Sequence, residues 1–185
     1  MRANRSARSW CIDLVRGPAG LVIRPATPAD AGVLAALLLQ VFRAGETYTI
    51  DPAITPEAAL AYWCAAEKTV FLAEVSGAIL GSYYLRPNQQ GGGAHVCNCG
   101  FVTAAAAYGQ GIARAMLDHA LATATAKGYR AMQFNFVVST NQRAIDIWQR
   151  AGFRIVGRLP GAFDHPRDGY VDALVMWKDL PGVAR

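Results

Sequence analysis

The stretch Tyr108-Gly109-Gln110-Gly111-Ile112-Ala113 lies where a predicted strand ends and a predicted helix begins. Glycines at a helix N-terminus leave backbone N–H groups open to an anion, which is how many proteins bind phosphate. The stretch is not a dinucleotide fingerprint: it lacks the third glycine, and Tyr129-Arg130 stand where a ribose-binding acid is expected. It has no Walker A lysine either. A tight turn that needs glycine only for its geometry is the alternative interpretation.

A second motif, Asn141-Gln142-Arg143-Ala144-Ile145-Asp146-Ile147-Trp148-Gln149-Arg150-Ala151-Gly152-Phe153, begins 30 residues after Gly111. Its spacing predicts a helix from Gln142 to Ala151 with Asn141 as the N-cap. Asn141 is thus expected at a helix terminus, where an amide either caps the helix, contacts an anionic ligand, or does both.

Together the two motifs resemble the acetyl-CoA-binding core of the GNAT superfamily of N-acetyltransferases. That family has Gln/Arg-x-x-Gly-x-Gly/Ala at the first helix and Asn-x-x-Ala-x-x-x-aromatic-x-x-x-Gly-Phe on the next. The resemblance covers residues 21–180. The C-terminal run Gly157–Phe163 and Tyr170–Leu174 looks like the subgroup that includes the fungal acetyltransferases of toxic proline analogues.

The resemblance implies acetyl-CoA as cosubstrate, and no metal. It places the pantetheine arm on the backbone of residues 101–103, the pyrophosphate on the N–H groups of residues 109–113, and the rest of the cofactor near Asn141. The cofactor-binding residues predicted in this way are Phe101, Val102, Thr103, Tyr108, Gly109, Gln110, Gly111, Ile112, Ala113, Asn141, Ala144 and Trp148.

Two positions depart from the family pattern. Tyr108 stands where the family usually has Arg or Gln, so a charge-assisted phosphate contact is expected to be missing. Trp148 stands where many members have a tyrosine proposed to protonate the departing thiolate, and an indole N–H has no useful acidity. A thiol with a pKa near 8.5 can leave largely as thiolate, so we expect catalysis by positioning rather than by a strong acid.

The periodicity predicts an α/β fold with the element order βααβββαβαββ. The predicted strands are residues 21–24, 70–75, 78–85, 95–102, 132–138, 153–158 and 171–177, the last two joined by a loop rich in Pro, Gly and Asp. We expect a single GNAT-like domain over residues 21–180, with a basic, disordered tail over 1–20 and a short tail over 181–185. The family fold implies a mixed, mostly antiparallel sheet with helices on both faces, splayed between its two central strands.

The composition, 53% hydrophobic and 17% charged over 185 residues, is typical of one globular domain. Of the net charge of +5, the first 20 residues hold +3 (four arginines less one aspartate), leaving +2 for the other 165 and no basic patch for nucleic acid. The longest stretch without charged residues, 87–113, has six glycines and several amides, which excludes a membrane span.

Four cysteines are too few for a disulfide scaffold, so a reducing, cytoplasmic location is expected. The first residues lack the apolar region of a secretory signal, although their Arg and Ser content faintly resembles a transit peptide. A homodimer is possible on this sequence, which does not determine the oligomeric state.

Asn98 and Asn135 are the candidate catalytic residues. Each interrupts a run of strand-forming residues, where a buried amide must find partners or destabilise the fold by about 1–3 kcal/mol. Either they orient an acceptor amine or they fix the backbone at the opening of the sheet.

The acceptor site is expected between the first two helices and the end of the third strand. Glu46 and Tyr48, in the loop 45–52, are candidates for contact with the amine, with Glu46 holding the ammonium or remaining a solvated surface charge. Tyr83, Tyr84 and Arg86 are candidates for the opposite wall. Tyr83 is the tyrosine assigned to the substrate, although strand alternation predicts that at least one of the two only packs.

His95, Cys97 and Cys99 share one strand face, but three ligands on one strand point too nearly parallel to close a tetrahedral zinc site. The two cysteines also lack an evident base, which disfavours an acyl-enzyme.

The sequence therefore predicts an acetyl-CoA-dependent N-acetyltransferase that acts on a small amine or amino acid by direct attack in a ternary complex. The alternatives are a CoA-binding regulatory module without turnover and an acetyltransferase of protein N-termini or lysines.

Overall fold

The computed structural model describes residues 17–181, so most of the predicted N-terminal tail and residues 182–185 of the C-terminal one lie outside the described part. The observed element order is the predicted βααβββαβαββ, interspersed with short 3-10 turns. The strands and α-helices are β1 (Leu21–Pro25), α1 (Ala31–Phe42), α2 (Pro56–Trp63), β2 (Thr69–Val75), β3 (Ala78–Pro87), β4 (Val96–Thr103), α3 (Ile112–Ala126), β5 (Ala131–Val138), α4 (Gln142–Arg150), β6 (Arg154–His165) and β7 (Gly169–Asp179).

The seven strands form one sheet in the order β1-β2-β3-β4-β5-β7-β6. Every neighbouring pair is antiparallel except β4 and β5, which are parallel and pair only at Val96–Ala131 and Cys97–Met132. Beyond Cys97 the two strands diverge, so backbone groups of β4 that would continue the ladder have no strand partner on that side. The predicted splay between the central strands is confirmed.

Helices cover both faces of the sheet, as expected. On one face α1 and α2 pack on a core that includes Leu38, Trp63 and Val102. On the other, α3 and α4 pack on a larger core with Met116 at its centre. A Cβ on Gly81 of β3 would lie 2.7 Å from the Met116 Cε, so the glycine lets α3 lie directly on the sheet.

An ion-pair network joins the start of α1 to the edge of the sheet. The Asp30 carboxylate accepts hydrogen bonds from the Arg24 guanidinium and from both the backbone N–H and the hydroxyl of Thr27. Arg24 also donates to Glu74 on β2. These bonds, with that from Arg24 the strongest, hold the pKa of Asp30 well below its usual value, so the carboxylate stays ionised at the helix start.

The loop predicted between the last two strands is mostly strand, because β6 continues to His165. β6 is an edge strand, where the missing N–H of Pro160 breaks no ladder bond, and a bulge between Leu159 and Phe163 absorbs Gly161 at φ +57°. The Asp172 carboxylate accepts a bond from the Gly161 N–H. The connection shrinks to residues 166–168, and the hairpin reaches the loop after α1.

Candidate active site

A cavity of about 250 Å³ opens where β4 and β5 diverge. Its walls come from the loop after α1, from α2, from β3, β4 and β5, and from the first turns of α4. The predicted site residues that it brings together are Tyr48, Tyr84, Arg86, Asn98, Phe101, Asn135, Asn141, Ala144 and Trp148. The lining residues that the sequence did not single out include Thr47, Thr49, Tyr62, Gly100 and Phe134.

Tyr48 links β4 to the loop of residues 45–52, here called the acceptor loop because the acceptor site is predicted beside it. Its hydroxyl donates to the Phe101 carbonyl at 2.9 Å, and its ring packs edge-on against Phe42 and Trp63. Burial raises the pKa of the Tyr48 phenol well above its ordinary value, so the hydroxyl keeps its proton at neutral pH. The one hydroxyl hydrogen is used in the bond to Phe101, so towards other groups Tyr48 can only accept a hydrogen bond.

Asn98 lies where β4 and β5 begin to diverge, directly after the last residue pair of the two strands. Its Nδ2 donates to the Gln133 carbonyl of β5 at 2.9 Å, one residue beyond the last backbone pair. Its Oδ1 accepts a long bond, 3.4 Å, from the Tyr84 hydroxyl. The side chain thus replaces a ladder bond where the strands separate, and its carbonyl oxygen is only weakly engaged.

Asn135 belongs to a chain of amides across the same opening. Its Nδ2 donates to Asn88 Oδ1 at 2.7 Å, and its Oδ1 accepts from Gln133 Nε2 at 2.9 Å. It lies in the irregular part of β5, between Phe134 and Val137, where the pairing with β7 is interrupted. Both candidate asparagines therefore line the cavity and hold backbone or neighbouring side chains, so the structural and functional interpretations coexist.

Tyr83 is a correction: it does not line the cavity. Successive residues of a strand point to opposite faces, and Tyr83 points into the α3 core, where it is fully buried, stacks on Phe71 and bonds His119 Nδ1 through its hydroxyl. Tyr84 faces the cavity instead. Its ring lies across Gly100, where a Cβ would come within 2.4 Å of the Tyr84 Cε1.

Glu46 is not part of the cavity lining either. Its carboxylate pairs with the Arg167 guanidinium at 2.8 Å, at the tip of the β6–β7 hairpin. The predicted contact with the acceptor's ammonium is corrected to an ion pair that links the acceptor loop to this hairpin. No local pattern indicates this ion pair, because the two residues are 121 positions apart in the chain.

The glycine loop between β4 and α3 has the geometry that its residues require. Gly109 and Gly111 adopt φ +81° and +80°, and α3 begins at Ile112 without a side-chain cap. Its first N–H groups are therefore open to an anion. Gln110 folds back to bond the Ala106 carbonyl, so its amide holds the loop.

Arg143 brings a cation to that loop. Its guanidinium carbon lies 4.5 Å from the centre of the exposed Tyr108 ring, a cation–π contact between the first turn of α4 and the loop before α3. The charge missing at position 108 is thus present nearby on another element. The side chain lies inside the second motif, but spacing alone does not show that α4 points its first turn toward the loop.

Asn141 caps α4, with its Oδ1 accepting from the Ala144 N–H at 3.2 Å. Trp148, about two turns after Asn141, packs against Phe101 and Phe134, with ring centres 5.1 and 5.0 Å from its own. Phe134 also stacks on Phe153, the last residue of the second motif. The indole therefore forms an apolar wall of the cavity.

The cysteines of β4 face the larger core. Burial raises the pKa of the Cys97 thiol to about 12 and that of Cys99 well above its usual value, so neither is a thiolate at neutral pH. Over residues 17–181, no group of three or more His, Cys, Asp or Glu side chains is placed to hold a metal ion. Within the same range, no helix is long and apolar enough to cross a membrane.

The chain resembles known proteins in both sequence and structure. It is 32% identical over 111 residues to the N-acetyltransferase aca1 of Schizosaccharomyces pombe; the match takes in 57% of this chain and 51% of that protein, so the chain spans about half the length of this curated relative. A GCN5-related N-acetyltransferase from Kribbella flavida is 40% identical with a TM-score of 0.84, covering 88% of this chain and 99% of that one.

A phosphinothricin acetyltransferase from Sinorhizobium meliloti, solved in complex with acetyl-CoA, shares the fold at 19% identity, with a TM-score of 0.76 and coverage of 87% and 89% of the two chains. The sequence profile of the acetyltransferase (GNAT) family matches residues 38–153, more than half of the chain. The match takes in the diverging strands, the glycine loop and the second motif. The resemblance predicted from the two motifs is confirmed, and the chain belongs to the acetyltransferase (GNAT) family.

Proposed function

We propose that the protein transfers an acetyl group from acetyl-CoA to a small amine by direct attack in a ternary complex. The observation that carries this proposal is the polar cavity at the opening between β4 and β5, together with the uncapped N-terminus of α3, the helix that follows β4 in the chain. An extended thioester fits such an opening, because the unpaired edge of a strand binds an extended chain through backbone hydrogen bonds.

Acetyl-CoA binds along β4 in this proposal. The pantetheine arm lies against residues 101–103, the pyrophosphate meets the N–H groups of residues 109–113, and Asn141, Ala144 and Trp148 flank the arm from α4. Arg143 supplies the phosphate-binding charge that Tyr108 lacks, because its guanidinium already lies over the Tyr108 ring. Membership of the acetyltransferase family supports this assignment.

The chemical step needs no covalent enzyme intermediate. The neutral amine nitrogen attacks the thioester carbonyl carbon, the tetrahedral intermediate loses its C–S bond, and CoA leaves as thiolate while the nitrogen's proton passes to water. Backbone N–H groups of the diverging part of β4 stabilise the oxyanion. The protonated states of Cys97 and Cys99 support direct attack, since a neutral thiol is a poor nucleophile.

Positioning supplies most of the rate. Asn98 and Asn135 flank the opening and orient the acceptor, with the weakly engaged Asn98 Oδ1 as a ready hydrogen-bond acceptor for the amine. Tyr48 donates its one hydroxyl hydrogen to the Phe101 carbonyl and so holds this part of β4, where the acetyl group is expected. Holding reactants in attacking geometry removes much of the barrier, so these groups need not be strong acids or bases.

The test is CoA thiol release from acetyl-CoA across a panel of amines, amino acids and peptides. Asn98→Ala and Asn135→Ala should lower kcat/KM for the acceptor by roughly 10- to 1000-fold, about 1.4–4 kcal/mol, with acetyl-CoA affinity little changed. Gln149→Ala, which removes an exposed amide of α4, is the matched control and should act like the wild type.

Two outcomes contradict the proposal. Saturable acetyl-CoA binding without transfer to any acceptor would indicate a CoA-binding module, and peptides outperforming every small amine would indicate a protein acetyltransferase. If both asparagine variants melt earlier but keep wild-type transfer rates, the amides only hold the sheet and the acceptor site lies elsewhere.

A further inference from the structure

The cavity has one charged side chain in its lining, Arg86, and within residues 17–181 that charge makes no ion pair. Its Nε is buried without a hydrogen-bond partner, alone among the half-buried and buried side chains of the described range. A guanidinium is always charged and presents several donors, so an unpaired Nε in a cavity wall is costly unless a ligand satisfies it.

The surroundings of Arg86 reinforce its positive charge. The cavity lining contains no Asp or Glu; besides this cation it consists of hydroxyl, amide and apolar side chains, Gly100 and Cys99. Lys68 adds a second cation nearby, its ammonium stacked on the rings of Tyr62 and Tyr84 at 3.9 and 4.4 Å. Burial, and after it the positive charge of the neighbouring Arg86, lower the pKa of Lys68.

The cation lies at the acceptor end of the cavity rather than at the phosphate end. Arg86 pairs with Asn98 in the β3–β4 register, whereas the glycine loop follows Thr103 at the opposite end of β4. Asn98 and Phe101 are three residues apart on an extended strand, which is roughly 10 Å. The long Arg86 side chain, on the same face as Asn98, can therefore reach a group close to an amine held at Phe101.

We propose that the acceptor is an α-amino acid whose carboxylate is bound by Arg86. This inference rests on the proposed function and narrows its substrate class. In an amino acid the carboxylate is two bonds from the attacking nitrogen, so one small molecule spans both the amides and the cation. The N–H groups of a guanidinium can bind both oxygens of one carboxylate. Because no acidic residue lines the cavity, no carboxylate of the lining occupies the Arg86 guanidinium. A peptide N-terminus or a lysine side chain carries no carboxylate at this position.

The test compares acceptors that differ only in this group. Transfer from acetyl-CoA is measured for the twenty amino acids, for their α-carboxamides, and for ethylamine and pyrrolidine, which lack the group altogether. The wild type should prefer its best amino acid over the matching amide by about 10- to 1000-fold in kcat/KM, mostly through KM. Glutamate compared with glutamine distinguishes recognition of an α-carboxylate from recognition of a side-chain carboxylate.

The variants assign the preference to Arg86. Arg86→Gln should abolish the discrimination between acid and amide while leaving acetyl-CoA affinity unchanged, and Arg86→Lys should retain part of it, because lysine keeps the charge but not the fork. Arg154→Gln, at an exposed arginine of β6, is the matched control and should keep the full preference. Calorimetry of the amino acid binding to the CoA-loaded protein should show the same loss in Arg86→Gln.

The results distinguish a failure of the carboxylate site from a failure of the proposed acetyltransferase function. Amides or plain amines accepted as well as amino acids, or an Arg86→Gln variant that keeps the preference, overturn the carboxylate site and leave the acetyltransferase intact. Preference for a side-chain rather than an α-carboxylate overturns the assignment to an α-amino acid. No transfer to any amine overturns the proposed function, and the carboxylate site with it.

Discussion

Replacing Gly100 by alanine should damage both the fold and the acceptor site through a single steric contact. The new Cβ would lie 2.4 Å from the Cε1, 2.8 Å from the Cζ and 3.0 Å from the hydroxyl of Tyr84. Ordinary carbon contacts are about 3.5–4.0 Å, so the ring must move by roughly 1 Å. It cannot do so freely, because it is 5% exposed and packs edge-on against Trp63 with ring centres 4.9 Å apart.

Overpacking of this kind costs about 1–3 kcal/mol, which for a chain of this length lowers the Tm by about 2–12 °C. The displaced ring should also lower kcat/KM for the acceptor by about tenfold or more, because Tyr84 forms one wall of the cavity and donates to Asn98. Thermal and urea unfolding measure the first effect, and steady-state CoA release measures the second.

Two further variants test whether the contact with Tyr84 is the cause of these effects. Gly32→Ala adds the same methyl group to α1, where nothing lies within 4 Å, and should be neutral or stabilising. In a Tyr84→Leu background, Gly100→Ala should cost much less than in the wild type, so that the two changes are not additive. A Gly100→Ala protein that melts with the wild type and keeps its acceptor kinetics would refute the steric argument.

Three further predictions concern the phosphate loop, the apolar wall and the α3 core. Arg143→Gln should raise the KM for acetyl-CoA several-fold and weaken the salt dependence of this KM, with the KM for the acceptor unchanged. Arg150→Gln, at the other end of α4, should leave the KM for acetyl-CoA unchanged, and equal effects of the two substitutions would exclude a phosphate-binding role for Arg143. Trp148→Phe should change stability or acetyl-CoA affinity more than the chemical step, and a 100-fold slower single-turnover rate with intact binding would contradict this. Burial lowers the pKa of His119, so the unfolded chain binds the proton more readily, and the free energy of unfolding should fall as the pH drops below about 6.5. His119→Gln should flatten this pH dependence in urea unfolding curves recorded from pH 7.5 to 5. An unchanged pH dependence in the variant would exclude His119 as its cause.

The geometry of the glycine loop and of the start of α4 was largely predictable from sequence because its determinants are local. Left-handed glycines before an uncapped helix and an asparagine at a helix start act within a few residues, so the pattern carries the geometry. The order of the elements follows for the same reason, since hydrophobic periodicity is a property of short windows. The splay of the sheet was predicted only through family resemblance, because strand pairing joins residues far apart in the chain.

The acceptor side was decided by tertiary structure. Alternation shows that Tyr83 and Tyr84 face opposite sides of β3, but only the packing of α3 against one face determines which side contains the cavity. Glu46 meets Arg167 because a bulged edge strand carries the hairpin across, and Arg143 meets Tyr108 because α4 packs beside the glycine loop. Sequence determined which residues carry charge and hydrogen-bonding groups. The fold determined which of these charges form ion pairs and which, like that of Arg86, form none within residues 17–181, because pairing depends on distances that local propensities do not encode.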